Sequence, residues 1–114
     1  MAGRVVIFVT RGDESALRLA GACALAAAAM DDRVDLFLFG RAVAAAVEAA
    51  GDPEHPAALL HQARAAGRCR LLGCSASAVA EGVDLARAEA ALDAVVGWPT
   101  VLEWSRGVVD RFYF

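Results

Sequence analysis

Short runs of β-branched and aromatic residues alternate with longer alanine-rich stretches along this chain. Runs of this kind, bounded by polar residues or glycine, are typical of strands buried on both faces of a parallel sheet. They predict strands over residues 5–9, 34–39, 70–73 and 108–114. We expect the first of these strands to lie centrally in the sheet because its whole length is apolar.

The stretches between the strands are typical of helices, with alanine or larger apolar residues at helical spacing. They predict helices over residues 13–30, 41–50, 57–66, 84–95 and 100–105. Asp13 is expected to cap the first helix, and Gly67 to end the third. Residues 93–97 can instead form an additional short strand. Gly21 costs the first helix about 1 kcal/mol relative to alanine, which close packing would explain.

The alternation of strands and helices predicts the fold class. A strand, a helix and a second strand form a unit whose right-handed crossover makes the two strands parallel neighbours. Repetition of this unit gives a three-layer α/β sandwich with a mostly parallel sheet of four or five strands. The 114 residues match the usual size of one domain, so we expect residues 1–114 to form a single domain.

Composition and charge narrow the class of protein. Hydrophobic residues make up 59% of the chain, against roughly 45–50% in most soluble domains, which hints that another subunit covers part of the surface. The formal net charge is −3, and all 11 basic residues are scattered arginines. The arginines form no basic run, so the sequence does not indicate binding to nucleic acid.

The N-terminal residues and the cysteine count bear on location. The apolar run 5–9 is too short to span a membrane and is not followed by a small-residue cleavage site. The three cysteines are an odd number and fit reduced thiols better than a disulfide framework. We therefore expect a soluble, cytoplasmic protein.

Cys74 is the strongest candidate for chemistry. It follows the third predicted strand, and ligands of open parallel sheets gather outside the carboxyl ends of strands. Ser75 and Ser77 follow at once, and their hydroxyls and backbone N–H groups can stabilise a thiolate. The alternative is that Cys74 serves as a small apolar filler, as most free cysteines do.

The other two cysteines are expected to be structural. Cys23 falls within the first alanine-rich helix, where apolar packing is the expected role. Cys69 begins the strand that Cys74 leaves, and the extended segment between them is roughly 16 Å long. That separation is too great for a disulfide, so a redox pair is not expected.

The segment Leu71-Leu72-Gly73-Cys74-Ser75-Ala76-Ser77, with Gly82-Val83 downstream, resembles the cysteine segment of the DsrE/DsrF-like family of sulfur-relay proteins. The first strand, the first helix, the run Phe37-Leu38-Phe39-Gly40 and the aromatic C-terminus are also similar. Ser75 stands where many relatives have glycine, and Glu81 where many have arginine.

The resemblance implies a flavodoxin-like fold and assembly as homotrimers or homohexamers. It implies that Cys74 carries sulfur as a persulfide between donor and acceptor proteins, as a sulfurtransferase-like carrier supported by Ser75 and Ser77 and without a cofactor. Two alternatives remain open. One is a non-catalytic assembly or regulatory module with an inert Cys74, and the other is a small flavodoxin-like nucleotide binder.

Other polar motifs give weaker indications. His55 and His61 match no metal-ligand spacing, so no metal is expected. Residues 10–13 occupy the place of a phosphate loop but lack its glycine-rich fingerprint.

The aromatic residues near the C-terminus are expected in the core or at contacts. Of Trp98 and Trp104, at least one is expected in the core, and the other can line the Cys74 pocket or a subunit contact. Phe112 and Phe114 share one face of the last strand and are expected in the core, with an interface as the second alternative.

Overall fold

The computed structural model describes residues 3–108 and 110–114. This part of the chain contains a five-stranded sheet in which every strand pair is parallel. The strands are β1 (Arg4–Val9), β2 (Arg33–Leu38), β3 (Cys69–Cys74), β4 (Ala94–Val96) and β5 (Asp110–Tyr113). The predicted α/β class and parallel sheet are confirmed. Val109 of the predicted last strand lies outside the described residues.

The strand order is β4-β3-β2-β1-β5. The chain therefore adds strands in one direction from β1 to β4 and then returns to place β5 on the other side of β1. Flavodoxin has the order 2-1-3-4-5, so the likeness to it lies in the layers and not in the strand order. The middle strand is β2, whereas β1, expected at the centre, lies one place nearer the edge.

Helices connect the strands on both faces of the sheet. They are α1 (Glu14–Ala29), α2 (Arg41–Glu48), α3 (Ala58–Ala65), α4 (Ser75–Ala80), α5 (Leu85–Ala91) and α6 (Trp98–Trp104). Side chains of α1 to α5 pack into one apolar cluster with alternate residues of the strands, such as Ile7 and Leu36. We call this the α1–α5 face. The opposite face, the α6 face, packs Val6, Phe37 and Leu72 against Val101 of α6.

Local interactions explain several helix ends. The Asp13 carboxylate accepts a hydrogen bond from the Ala16 N–H at 3.2 Å, which confirms the predicted cap of α1. Gly67, with a φ of +97°, follows the last turn of α3 as predicted.

Gly21 lies in the middle of α1, where α1 meets α3. A Cβ on Gly21 would overlap Leu59 Cβ and lie 3.1 Å from the Leu59 carbonyl carbon. Close packing at Gly21 is therefore confirmed, against α3.

The segment after β3 differs most from the predicted elements. The predicted helix 84–95 ends at Ala91, and the alternative of a short strand is correct, since Ala94–Val96 is β4. Asp93 causes this change: its N–H donates to Leu71 O at 2.9 Å, and its carboxylate accepts from Leu71 N at 2.7 Å. The short helix α4 was not predicted.

β5 lies at an edge of the sheet, so its aromatic residues are less buried than expected. Phe112 is 44% exposed, so its expected place in the core is wrong, and the alternative of an interface stays a prediction. Phe114 is half-buried against the α1–α5 face, as the alternation of side chains along the strand predicts.

Candidate functional site

Cys74 is the last residue of β3 and stands directly before the first turn of α4. It pairs with Val96 of β4, whose side chain belongs to the cluster on the α6 face. The Cys74 side chain therefore faces α6 and not α1–α5. Cys74 is only 4% exposed, and it lines a groove through which a ligand could reach the sulfur.

The groove has a volume of about 570 Å³ and lies at the carboxyl ends of the strands on the α6 face. In parallel α/β sheets this edge is where ligands bind, above all where the strand order reverses, which here is between β1 and β5. The groove extends from Cys74 to that point, and its lining comes from β1, β3, α4, α6, β5 and the segments that follow β1 and β2. It is lined by Phe8, Thr10, Phe39, Cys74, Ala76, Ser77, Ala80, Trp98 and Tyr113.

Aromatic rings form a continuous row along the groove. The ring centroids of Tyr113 and Phe8 are 5.1 Å apart, those of Phe8 and Phe39 are 6.3 Å apart, and those of Phe39 and Trp98 are 5.1 Å apart. All three pairs are stacked, with interplanar angles of 12° to 24°. Trp98 is 53% exposed and Tyr113 68% exposed, so the two ends of the row remain open to a ligand.

The two candidate serines take different positions. The Ser77 hydroxyl lines the groove and accepts a hydrogen bond from the Gly40 N–H at 2.7 Å, which ties α4 to the end of β2. Ser75 is directed toward the start of α6, because a Cβ on Gly97 would lie 3.8 Å from Ser75 Oγ. The structure thus brings Ser77, and not Ser75, into the groove with Cys74. Glu81 lies at the other end of α4, outside the groove lining.

The remaining cysteines have surroundings that oppose thiolate formation. Burial raises the pKa of Cys69 to about 12, and the nearby charges of Asp93 and Asp35 add to this effect. Burial also raises the pKa of the Cys23 thiol. Cys69 and Cys74 stand at opposite ends of β3 and face opposite sides of the sheet, so they form no pair. All three cysteines are free.

A charged cluster lies on the α6 face, at the amino ends of the strands. The buried carboxylate of Asp35 forms ion pairs with two arginines and accepts hydrogen bonds from Arg4 Nη2 at 2.7 Å and from Arg70 Nε at 2.8 Å. Burial raises the pKa of Asp35, but the hydrogen bonds from Arg70 and Arg4 outweigh it and hold the pKa below its ordinary value. The Arg70 guanidinium also lies 4.6 Å from the Trp104 ring centroid, and Arg4 donates to the Trp104 carbonyl.

This cluster attaches the C-terminal end of α6 to the sheet, while Trp98 at the other end of α6 lines the groove. Trp104 is half-buried against the cluster on the α6 face, so one tryptophan packs on the core and the other lines the Cys74 groove. The predicted division of roles between the two tryptophans is confirmed.

The other predicted polar sites have structural partners. His55 Nδ1 accepts from the Ala57 N–H at 3.0 Å, and His61 Nε2 lies 2.7 Å from the Ala46 carbonyl oxygen. Among residues 3–108 and 110–114, no group of three or more His, Cys, Asp or Glu side chains is placed to hold a metal ion. Thr10 donates to the Phe114 carbonyl at 3.1 Å. No helix within the same residues is long and apolar enough to cross a membrane.

Sequence reasoning missed the row of aromatic residues. Phe8 lies within an apolar run in which both faces look alike, so its exposure to a groove has no local signature. One signal was available: Phe8 and Phe39 each occur near the carboxyl end of a predicted strand, on the edge where Cys74 was expected.

The fold and the groove define a small parallel α/β protein with a cysteine at the carboxyl edge of its sheet. The family model described as the DsrE/DsrF-like family matches residues 3–106, and the chain belongs to this family, which is associated with sulfur relay in general. No curated protein matches the chain.

Two solved structures are similar to the chain. One is MTH1491 from Methanobacterium thermoautotrophicum, a protein of unknown function, with a TM-score of 0.71, 20% identity, and coverage of 98% of this chain and 97% of that one. The other is YchN from E. coli, with a TM-score of 0.70, 19% identity and coverage of 100% of both chains. At these identities the likeness concerns the fold alone.

Proposed function

We propose that this chain is a sulfur-relay protein that accepts sulfane sulfur on Cys74 and passes it on as a persulfide. The observation that carries the proposal is the position of the Cys74 thiol in a groove at the carboxyl edge of a parallel sheet. Membership of the DsrE/DsrF-like family supports it. Cys69 and Cys23 are poor alternatives because burial raises the pKa of each thiol.

The transfer requires only thiol chemistry. The Cys74 thiolate bonds to the outer sulfur of a donor persulfide, the donor S–S bond breaks, and the donor leaves as a thiol. The acceptor thiolate then attacks the outer sulfur now held on Cys74, and Cys74 returns to its starting state. Each step exchanges one S–S bond for another, so a cofactor has no part in it.

In this proposal Ser77 supports the thiolate through its hydroxyl, and Ser75 supports it through its backbone N–H. The Ser77 oxygen already accepts a hydrogen bond from Gly40 N, and its own O–H remains able to donate to sulfur. Ser75 is the first residue of α4, where backbone N–H groups lack partners within the helix.

The proposal also includes the domain organisation, the partners, the assembly and the cellular location of the chain. Residues 1–114 act as one domain, donor and acceptor proteins dock at the groove, and the chain works as a homotrimer or homohexamer. We assign it to the cytoplasm because its free cysteines suit a reducing compartment.

Mass spectrometry tests the carrier role. The protein is incubated with a cysteine desulfurase and cysteine, or with a thiosulfate sulfurtransferase and thiosulfate. An adduct of one sulfur atom, about 32 Da, is expected on the parent chain and absent from Cys74→Ala. Cys69→Ala is the matched control, since it removes a cysteine from the other end of the same strand and should leave the adduct. The absence of any Cys74-dependent adduct would sink the proposal.

The low exposure of Cys74, 4%, favours one alternative: a binding module in which this cysteine only fills space. The rate of alkylation by iodoacetamide separates the two. A Cys74 that reacts below pH 7 no faster than a free thiol would favour the module, whereas faster reaction supports the carrier.

A further inference from the structure

The Cys74 groove is uncharged. Among the described residues that line it, the polar side-chain groups are the Cys74 thiol, the hydroxyls of Thr10, Ser77 and Tyr113, and the Trp98 indole N–H. The Thr10 and Ser77 hydroxyls already hold hydrogen bonds, to Phe114 O and from Gly40 N. The lining therefore offers no cation to an anionic ligand, and an anion that loses its water without gaining such a partner is disfavoured.

The groove instead offers aromatic surface. The stacked rings of Tyr113, Phe8, Phe39 and Trp98 form a row of side chains, and the residues Trp98 and Tyr113 are more than half exposed. Rings of this kind bind flat apolar groups by stacking. A volume of about 570 Å³ falls within the range of roughly 300–1,000 Å³ that is usual for small-molecule sites. The occupant that fits both features is a small organic molecule with an uncharged aryl or alkyl group.

We propose that this groove binds the apolar substituent of a low-molecular-weight organic persulfide, which loads Cys74 in preference to thiosulfate or an acidic persulfide such as that of glutathione. The loading step rests on the proposed function, whereas the binding of the apolar group does not. The row of aromatic rings thereby determines which sulfur donors reach the thiol.

The loading step balances without an oxidant or reductant. The Cys74 thiolate sulfur bonds to the outer sulfur of R–S–SH, and the S–S bond of the donor breaks. The electron pair leaves on R–S⁻, which takes a proton from solvent. Cys74 is left as a persulfide and the donor as R–SH, so one sulfur atom has moved.

Binding is measured first, without chemistry. In a Cys74→Ala, Trp104→Phe variant, Trp98 is the remaining tryptophan and reports on the groove. Benzyl methyl sulfide, an unreactive apolar probe, should quench its fluorescence saturably, and thiosulfate and glutathione should not. Tyr113→Ala should weaken binding of the probe by about tenfold, and Tyr113→Phe, which keeps the ring, should restore it.

Loading is measured next, as the rate of the one-sulfur adduct on Cys74. Benzyl persulfide should load the parent chain about tenfold faster than glutathione persulfide or thiosulfate, and Trp98→Ala should remove this preference. Leu102→Ala is the matched control, because Leu102 is an exposed residue of α6 outside the groove lining. Circular dichroism of each variant confirms that it is folded.

The outcomes separate this inference from the proposed function. Equal loading by all donors, with no quenching of Trp98, overturns the inference and leaves the carrier role standing. Saturable binding of the apolar probe with no loading from any donor supports the groove assignment and overturns the carrier role. Loading by protein donors alone, with no binding of the probe, makes the groove a protein-docking surface and overturns the inference.

Discussion

Cys69 and Cys74 show how position decides what one residue type can do. They begin and end β3 and are almost equally buried, at 5% and 4% exposure. Cys69 packs into the α1–α5 face near the charges of Asp93 and Asp35, which add to burial in raising its pKa to about 12. Cys74 faces an uncharged groove instead. Cys74 therefore lies in a groove that a ligand can enter and whose lining contains no carboxylate, whereas Cys69 lies near two carboxylates.

Gly21 is a residue where helix propensity and packing oppose each other. Gly21→Ala would gain about 1 kcal/mol of helix propensity in α1. The added Cβ would overlap Leu59 of α3, and overpacking of this kind costs roughly 1–3 kcal/mol. Because α3 meets the position with backbone as well as side-chain atoms, we expect packing to prevail and the free energy of unfolding to fall by about 1 kcal/mol.

Urea denaturation measures this change in Gly21→Ala. The control is Ala22→Gly, at the adjacent exposed position of α1, which should lose about 1 kcal/mol through propensity alone. A Gly21→Ala chain that is more stable than the parent would show that α3 can move away at little cost.

Among the elements, α6 is held at its two ends by different interactions. Trp104 at its C-terminal end is fixed by Arg70 and Arg4, which both pair with the Asp35 carboxylate. Trp98 at its other end stacks on Phe39 at the groove. Because α6 is the helix that covers the α6 face, loss of the Asp35 cluster should loosen the wall of the groove as well as the core beneath it.

Asp35→Asn should therefore lower the free energy of unfolding at pH 7 by on the order of 2 kcal/mol. This expected loss of stability is smaller than the usual cost of breaking a buried ion pair, because both arginines are partly exposed. The folded pKa of Asp35 is below its ordinary value, so its stabilisation is present above about pH 4 and is lost as pH falls through the folded pKa.

Denaturation by urea at pH 7 and pH 3 checks both the size and the sign of the Asp35 effect. The parent chain should lose more stability over this interval than Asp35→Asn does. Asp31→Asn is the control, since its ion pair with Arg68 is largely exposed and should contribute less than about 1 kcal/mol. Equal losses in the parent and in Asp35→Asn would contradict the assigned role of the cluster.

The elements that could be predicted from sequence are those with local signatures. Asp13 was identified as a cap, and the apolar runs identified the strands, because both depend on neighbouring residues. α4 was missed because six residues of serine, alanine and valine show no helical period. The Asp35 cluster was missed because Arg4 and Arg70 reach Asp35 only through the register of three parallel strands.

At the scale of the whole molecule, the two faces of the sheet are covered unequally. Within the described residues, five helices pack on one face, while α6 covers part of the other and leaves the aromatic groove beside Cys74. The sequence predicts the site cysteine at a strand exit but not this inequality, because strands buried on both faces have similar apolar residues at alternate positions. The strand order depends on contacts between distant segments, so local sequence patterns could not predict it either.

The edge formed by β5 is where we expect copies of the chain to associate. Residues 110–113 are all exposed, and Phe112 points to the side opposite Tyr113 and the groove. An edge strand with exposed aromatic residues is seldom left uncovered. Phe112→Glu should therefore reduce the sedimentation coefficient to that of a monomer, whereas Met30→Glu, at an exposed residue after α1, should not. A parent chain that sediments as a monomer at every concentration, or dissociation by both variants alike, would show that β5 is not the contact.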